Sequence, residues 1–338
     1  MQIATIGVDL AKHVFQLHGI GPDGCVVLRR KLRRAQMMTF FAGLPPCLIG
    51  MEACATAHHW ARELRTLGHE VRLMPAHYVK AYVKRGKNDA ADAEAICEAV
   101  TRPTMRFVAI KTKEQQAVLV MHRTRDLLVR QRTQLVNALR GLLGEFGISE
   151  PQGIRHVGRL RAHLEEETVP EAGREVLRLL VEQLDELEQR VDAVEARMRS
   201  WHRGSPISQR LAKIPGIGPL IASAIVATVA DPSVFRSGRQ FAAWLGLVPR
   251  QNSTGGKQRL GRITCHGDAY IRRLLIIGAQ SALQRSKEIK ENAWVKGLLS
   301  RCARLKVAVA LANKTARIAW ALMAKDDVYR GATISAAA

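Results

Sequence analysis

IATIGVDLAKHVFQLHGIGPDGCVVLRRKL, residues 3–32, holds three apolar runs rich in β-branched residues: Ile3 to Val8, Val14 to Gly19 and Cys25 to Leu32. Only LAKH and GPDG separate them. Connections this short cannot carry the crossover that parallel neighbours need, so the runs predict an antiparallel meander. Further along, Leu48 to Met51 and Val71 to Met74 are strand-like and alternate with helical patterns at 34–43, 56–67 and 88–101. Helix and strand in alternation predict crossovers, and so a mixed α/β sheet over about residues 1–110.

Three antiparallel strands followed by alternating helix and strand is the order of a ribonuclease H-like sheet, although periodicity alone does not separate it from other mixed sheets. The chain around it has 338 residues and is 47% hydrophobic, enough for two or three domains with cores of their own. Its 52 Lys and Arg against 30 Asp and Glu leave a net charge of +22. That excess favours a polyanionic partner, above all nucleic acid, and argues against an enzyme of acidic small molecules. Six cysteines lie far from any C-x-x-C or paired-His spacing, which argues against structural zinc and for a reduced, cytoplasmic setting. No signal-peptide pattern opens the sequence, and the longest nearly uncharged run, Ile214 to Ala230, is broken by Pro215, Gly216, Gly218 and Pro219, so no membrane partner is expected.

The middle of the chain reads as long helices. From Lys113 to Phe146 there is no Pro, and Val118, Met121, Leu128, Leu135, Leu139, Leu142 and Phe146 recur at helical spacing, with arginines on the other faces. A second helix, about 171–202, sets Leu177, Leu180, Leu184, Leu187, Val191, Val194 and Met198 at alternating steps of three and four. That is a coiled-coil seam. Its acidic flanks place it against another helix rather than nucleic acid, in an intramolecular hairpin with the first helix or in a coil between subunits, the latter being the preferred reading. Residues 205–325 return to basic, mostly helical sequence with a Gly-rich polar interruption at 251–261.

Four carboxylates stand out. Asp9 and Glu52 each follow a buried strand run, and Asp89 and Asp92 share one helix face in KNDAADAEAI, with Lys84, Arg85 and Lys87 just ahead as candidate phosphate contacts. Singly, each acid is an ordinary surface or N-cap residue. Together they could cradle hard divalent cations, Mg²⁺ or Mn²⁺, and so activate an oxygen nucleophile and stabilise a leaving oxygen. LAKIPGIGPLIASAIVA, residues 211–227, has the form of a helix-hairpin-helix whose Gly216 and Gly218 could offer main-chain N–H groups to a phosphate. In 241–275, Ser253 lies in a loop among Arg250, Lys257, Arg259 and Arg262, with Arg272 and Arg273 on the next helix. Clustered cations suit phosphoryl transfer to a serine, but in isolation Ser253 reads as a turn residue.

In this order and spacing, GVDLAK, GMEACAT, KNDAADAEAI, IPGIG and GLVPRQNSTGGK…RLGRIT…GDAYIRRLL resemble the DEDD transposases of bacterial insertion sequences, related to the Piv DNA invertase and including bridge-RNA-guided recombinases. The likeness spans about residues 3–325. It implies a RuvC-like (ribonuclease H-like) domain over 1–110 with metal-binding acids at Asp9, Glu52, Asp89 and Asp92. It implies a long-helix, coiled-coil insertion over 111–204 and a mostly helical transposase domain over 205–330, with the nucleophilic serine at Ser253. It further implies covalent phosphoserine chemistry on donor and target DNA, a homo-oligomer (dimer or tetramer) and a guide RNA. Two other readings compete. A structure-specific RuvC-like nuclease using metal-activated water would leave the serine loop idle. An actin-like ATPase suits the G-x-D-x-x-K of residues 7–12 but needs a second Gly-rich phosphate loop, where this chain turns helical.

Overall fold

The computed structural model describes residues 2–84, 88–153, 156–165 and 168–331. The chain divides into two compact units, Met1–Thr112 with Val229–Val234, and Lys113–Thr228 with Phe235–Ala338.

In the first unit the order is β1 (Thr5–Leu10), β2 (Val14–Ile20), β3 (Val26–Arg33), α1 (Met37–Ala42), β4 (Leu48–Glu52), α2 (Ala57–Thr66), β5 (Glu70–Met74), α3 (Ala76–Val79) and α4 (Asp89–Val100). The five strands form one sheet in the order β3-β2-β1-β4-β5. β1–β2 and β2–β3 are antiparallel, while β4 pairs parallel with both β1 and β5. The expected meander is therefore present, and the mixed sheet arises because the helical crossovers return the chain in the direction of β1.

Strand alternation assigns the two faces. Ile6, Val8, Phe15, Leu17, Leu32, Ile49 and Met51 point to one side and form a core with Met37 and Phe41 of α1 and Trp60, Ala61 and Leu64 of α2. The other side receives α4. It lies so close that a Cβ on Gly7 would stand 2.2 Å from the Ala93 carbonyl oxygen, and one on Gly50 would stand 2.8 Å from the Cβ of Val100. Only glycine at these two strand positions admits the helix. Gly7→Ala is expected to displace α4 and cost more than about 2 kcal/mol, the scale of strong overpacking, as read by urea denaturation.

The second unit runs α5 (Lys113–Gly144), α6 (Val157–Ala162), α7 (Glu171–Arg203), α8 (Pro206–Leu211), α9 (Pro219–Thr228), α10 (Gly238–Trp244), β6 (Pro249–Gln251), β7 (Leu260–Ile263), α11 (Ala269–Arg285), α12 (Lys287–Glu291), α13 (Ala293–Leu299) and α14 (Arg304–Lys325). The α7 seam corrects the preference for a coil between subunits. Leu177, Leu184, Leu187, Val191 and Met198 are all buried within the single chain, and Leu177 and Leu184 share a core with Val136, Leu139 and Leu143 of α5. The Arg125 side chain of α5 reaches Glu195 of α7 at 2.7 Å, so the acidic flank of α7 is met by its own chain. Local heptad spacing shows that a stripe is buried, not against which helix. Leu184→Ala is expected to cost about 2–5 kcal/mol in a urea or thermal unfolding measurement.

A buried polar chain joins three helices of this unit. His122 of α5 is 2% exposed, with Nδ1 3.0 Å from the Tyr270 hydroxyl of α11 and Nε2 3.1 Å from Ser223 Oγ of α9. Ser223 donates its own proton to the Leu220 carbonyl at 3.1 Å. The network therefore assigns the Nε2–H tautomer, donating to Ser223 and accepting from Tyr270. Burial, then Arg125, holds the imidazole down to about 4. The folded chain stays neutral here while the unfolded chain takes up a proton below its ordinary value of 6.5. Stability is thus expected to fall as pH drops from 6.5 toward 4, by at most about 1.4 kcal/mol per pH unit from this group. His122→Gln should flatten that part of a pH series of urea midpoints.

Candidate active site

The sheet itself brings two of the four acids together. Parallel register pairs Val8 with Met51, so the next residues, Asp9 and Glu52, stand side by side at the same edge of the sheet. The other two come from α4. Asn88 caps that helix, its side chain accepting from the Ala91 N–H at 2.8 Å, which starts the helix so that Asp89 and Asp92 fall in its first turn. Because α4 sits directly on Gly7 and Gly50, its N-terminal end lies over the end of β1.

Electrostatics report the convergence. The half-buried Asp9 carboxyl is pushed above the usual carboxylate range first by burial, then by Asp89 and Asp92. Glu52 is pushed up by burial, then by Asp9 and Asp92. Asp9 thus lies within the field of Asp89 and Asp92, and Glu52 within that of Asp9 and Asp92, so like charge adds to burial in raising both. The all-carboxylate oxygen donor set is of the kind that suits a hard divalent ion. Among the described residues, however, no group of three or more His, Cys, Asp or Glu side chains closes into a ligand set. The donor chemistry fits a hard divalent metal while the side chains stand open.

Of the cations beside this site, Lys84 is tied to Glu94 at 2.9 Å and to Glu98 at 3.9 Å. Arg85 and Lys87 lie outside the described residues. Sequence reasoning did not single out Gly7 and Gly50, whose signal is a small residue in the middle of each of two strongly apolar strands.

Ser253 belongs to an exposed two-stranded hairpin of the second unit, β6–β7. Asn252 N–H donates to Arg259 O at 2.9 Å and Lys257 N–H to Thr254 O at 3.1 Å, closing a four-residue turn. Its central residues, Gly255 and Gly256, have φ of 54° and 77°. Two successive left-handed residues are what a tight type I′ hairpin demands, and the pair of glycines supplies them. Ser253 therefore stands one residue before the turn, exposed, with Lys257, Arg259 and Arg262 also exposed on the same hairpin. Among the described residues no base is hydrogen-bonded to its hydroxyl.

The other basic candidates of this unit are partly engaged. Arg272 donates to the Leu245 and His266 carbonyls at 2.9 and 2.8 Å, clasping the chain where it leaves the hairpin. Arg273 pairs with Asp126 and lies 5.3 Å over the Tyr270 ring. Arg250 reaches the Thr264 carbonyl at 3.4 Å. In the expected helix-hairpin-helix, Gly216 turns inward with φ 89°, where a Cβ would stand 2.8 Å from the Gly278 carbonyl oxygen. Gly218 faces open space ahead of α9.

A strand-end carboxylate cluster on a mixed sheet and an arginine-rich serine hairpin occur in one basic chain, and the proteins it is similar to are transposases, enzymes that process DNA. A transposase model of the DEDD IS110 type matches residues 6–148, and the model of the transposase IS116/IS110/IS902 family matches residues 208–293. A protein of Pseudomonas aeruginosa described as "Probable family 20 transposase" is 52% identical, covering 98% of this chain and 99% of its own length. The transposase for insertion sequence element IS1328 of Yersinia enterocolitica is 41% identical over 97% of the chain and 98% of its own. That for IS1111A of Coxiella burnetii is 40% identical over 97% and 92%. The chain belongs to the IS110 family of insertion-sequence transposases, enzymes that act on DNA. Among the described residues no helix is long and apolar enough to cross a membrane.

Proposed function

We propose that this transposase cuts and rejoins donor and target DNA through a covalent phosphoserine intermediate. Ser253 supplies the nucleophile, and Asp9, Glu52, Asp89 and Asp92 hold Mg²⁺ or Mn²⁺. The observation that carries the reading is the four-carboxylate field at the end of β1 and β4, where burial and mutual repulsion raise Asp9 and Glu52. The strand order β3-β2-β1-β4-β5 supports a RuvC-like assignment for residues 1–110, followed by the long-helix insertion at 111–204 and the transposase part at 205–330.

In the cleavage step Ser253 Oγ forms a bond to phosphorus as the bond from phosphorus to the deoxyribose oxygen breaks. The seryl proton is released, and the departing oxygen takes one up. Rejoining reverses this with the sugar hydroxyl of another strand. The bound metal would stabilise charge on the phosphate oxygens. Arg250, Lys257, Arg259 and Arg262 would hold the charged phosphodiester at the hairpin, and Lys84, Arg85, Lys87, Arg272, Arg273 and the turn at Gly216 and Gly218 would add phosphate contacts. A homo-oligomer and a guide RNA complete the proposal.

The test is cleavage of an oligonucleotide spanning the element end, with and without Mg²⁺, under conditions that block religation. DNA carrying covalently attached protein supports the reading. Free ends would return the chain to the hydrolytic nuclease reading, in which the serine hairpin only binds.

A further inference from the structure

The outer strand β3 reads VVLRRKLR, and Arg29, Arg30, Lys31 and Arg33 are all exposed. It is an edge of the five-stranded sheet. Register carries the face of the acid cluster out to this edge. Asp9 of β1 pairs with Gln16 of β2, and Gln16 with Lys31 of β3. One row along, Gly7 pairs with His18 and His18 with Arg29. Laterally paired residues project from the same side of a sheet, so Arg29, Lys31 and Arg33 lie on the face that carries Asp9. The alternate residues behave differently. Leu32 is buried in the opposite core, and Arg30 is drawn onto the Phe40 ring at 5.1 Å.

We propose that Arg29, Lys31 and Arg33 form a phosphate-tracking strip that binds the DNA strand running to or from the carboxylate cluster. Three observations favour this over a solvated edge. First, the three cations form no ion pair among the described residues, whereas arginines of α5 and α7 such as Arg125, Arg190 and Arg199 are paired with acids. Second, their i, i+2 spacing along a strand is about 6.8 Å, close to the separation of successive phosphates on one nucleic-acid strand. Third, protecting an edge from strand addition needs charge on either side, while here the unpaired cations repeat on the side of Asp9.

The inference rests on DNA being processed at the carboxylate cluster, but its main readout needs no cleavage. Full-length wild type is compared with the triple variant Arg29→Gln, Lys31→Gln, Arg33→Gln for binding to a duplex oligonucleotide in chelator across a salt series. The slope of log K against log salt should fall by about 2.7, three contacts at about 0.9 each. The control is Arg190→Gln, Arg197→Gln, Arg199→Gln on α7, which removes the same net charge and should leave the slope unchanged. Lys31→Gln alone should lower it by about 0.9, which keeps the test decisive if the triple variant folds poorly. An equal fall in slope in strip and control variants, or none in the strip variant, overturns the proposal. So does a loss confined to structured RNA with duplex DNA binding intact. Asp9→Asn should retain wild-type binding in chelator, so failure of the strip and failure of the metal reading are separately visible.

Discussion

Ser253→Ala is expected to remove both strand cleavage and the covalent protein–DNA adduct, a loss on the order of 10³-fold or more, as for other enzymes deprived of their nucleophile. The size of the effect follows from the setting. Ser253 sits on an exposed hairpin, and no neighbouring side chain of the described residues shares its hydroxyl. Thr254 follows immediately but belongs to the turn closed by Lys257. Thr254→Ala should therefore keep the adduct, and peptide mapping should place the nucleotide on Ser253. Mapping to Thr254 would move the site by one residue. Efficient cleavage by Ser253→Ala, leaving free DNA ends, would make the nucleophile water.

Asp9→Asn should cost more than about 100-fold in cleavage, because loss of groups that merely support metal ligands already costs 10–100-fold. Its effect on stability should have the opposite sign. Burial, then Asp89 and Asp92, raise Asp9, so the folded chain binds that proton more tightly than the unfolded chain does. The ionised form therefore weakens the metal-free fold, and this weakening grows as pH rises from the unfolded carboxylate value through the raised folded one. In chelator at neutral pH, Asp9→Asn should melt higher than wild type, and the gap should close as pH falls through the acid range. Adding Mg²⁺ should stabilise wild type more than the variant, since a ligand that binds the folded state stabilises it by mass action. A variant that melts lower in chelator would show that Asp9 is not under repulsion from its neighbours.

The strands and long helices were legible in the sequence because their information is local. Alternation and β-branched runs mark β1 to β5, and the short links LAKH and GPDG compel the first three to be antiparallel. The i, i+3 spacing puts Asp89 and Asp92 on one helix face, whereas the Asn88 cap that starts the helix and the left-handed glycine pair at 255–256 beside Ser253 emerged only in the structure. The four acids could be nominated as a set because two end strand runs and two share a helix face. Their meeting was decided elsewhere. Asp9 and Glu52 are neighbours through the parallel register of β1 with β4, and Asp89 and Asp92 join them because Gly7 and Gly50 let α4 rest on the sheet. The two glycines lie only two residues from Asp9 and Glu52, but they mark where a helix can come close and not which helix fills the space. The same limit explains the α7 seam, where heptad spacing required a buried stripe and only the packed chain showed α5 filling it. It also explains the arginines of α11, which read as free cations until the fold laid Arg272 against two carbonyls and Arg273 against Asp126. Periodicity and capping report what a segment's own backbone and faces require, whereas the partner of each face is chosen by long-range packing of the whole chain.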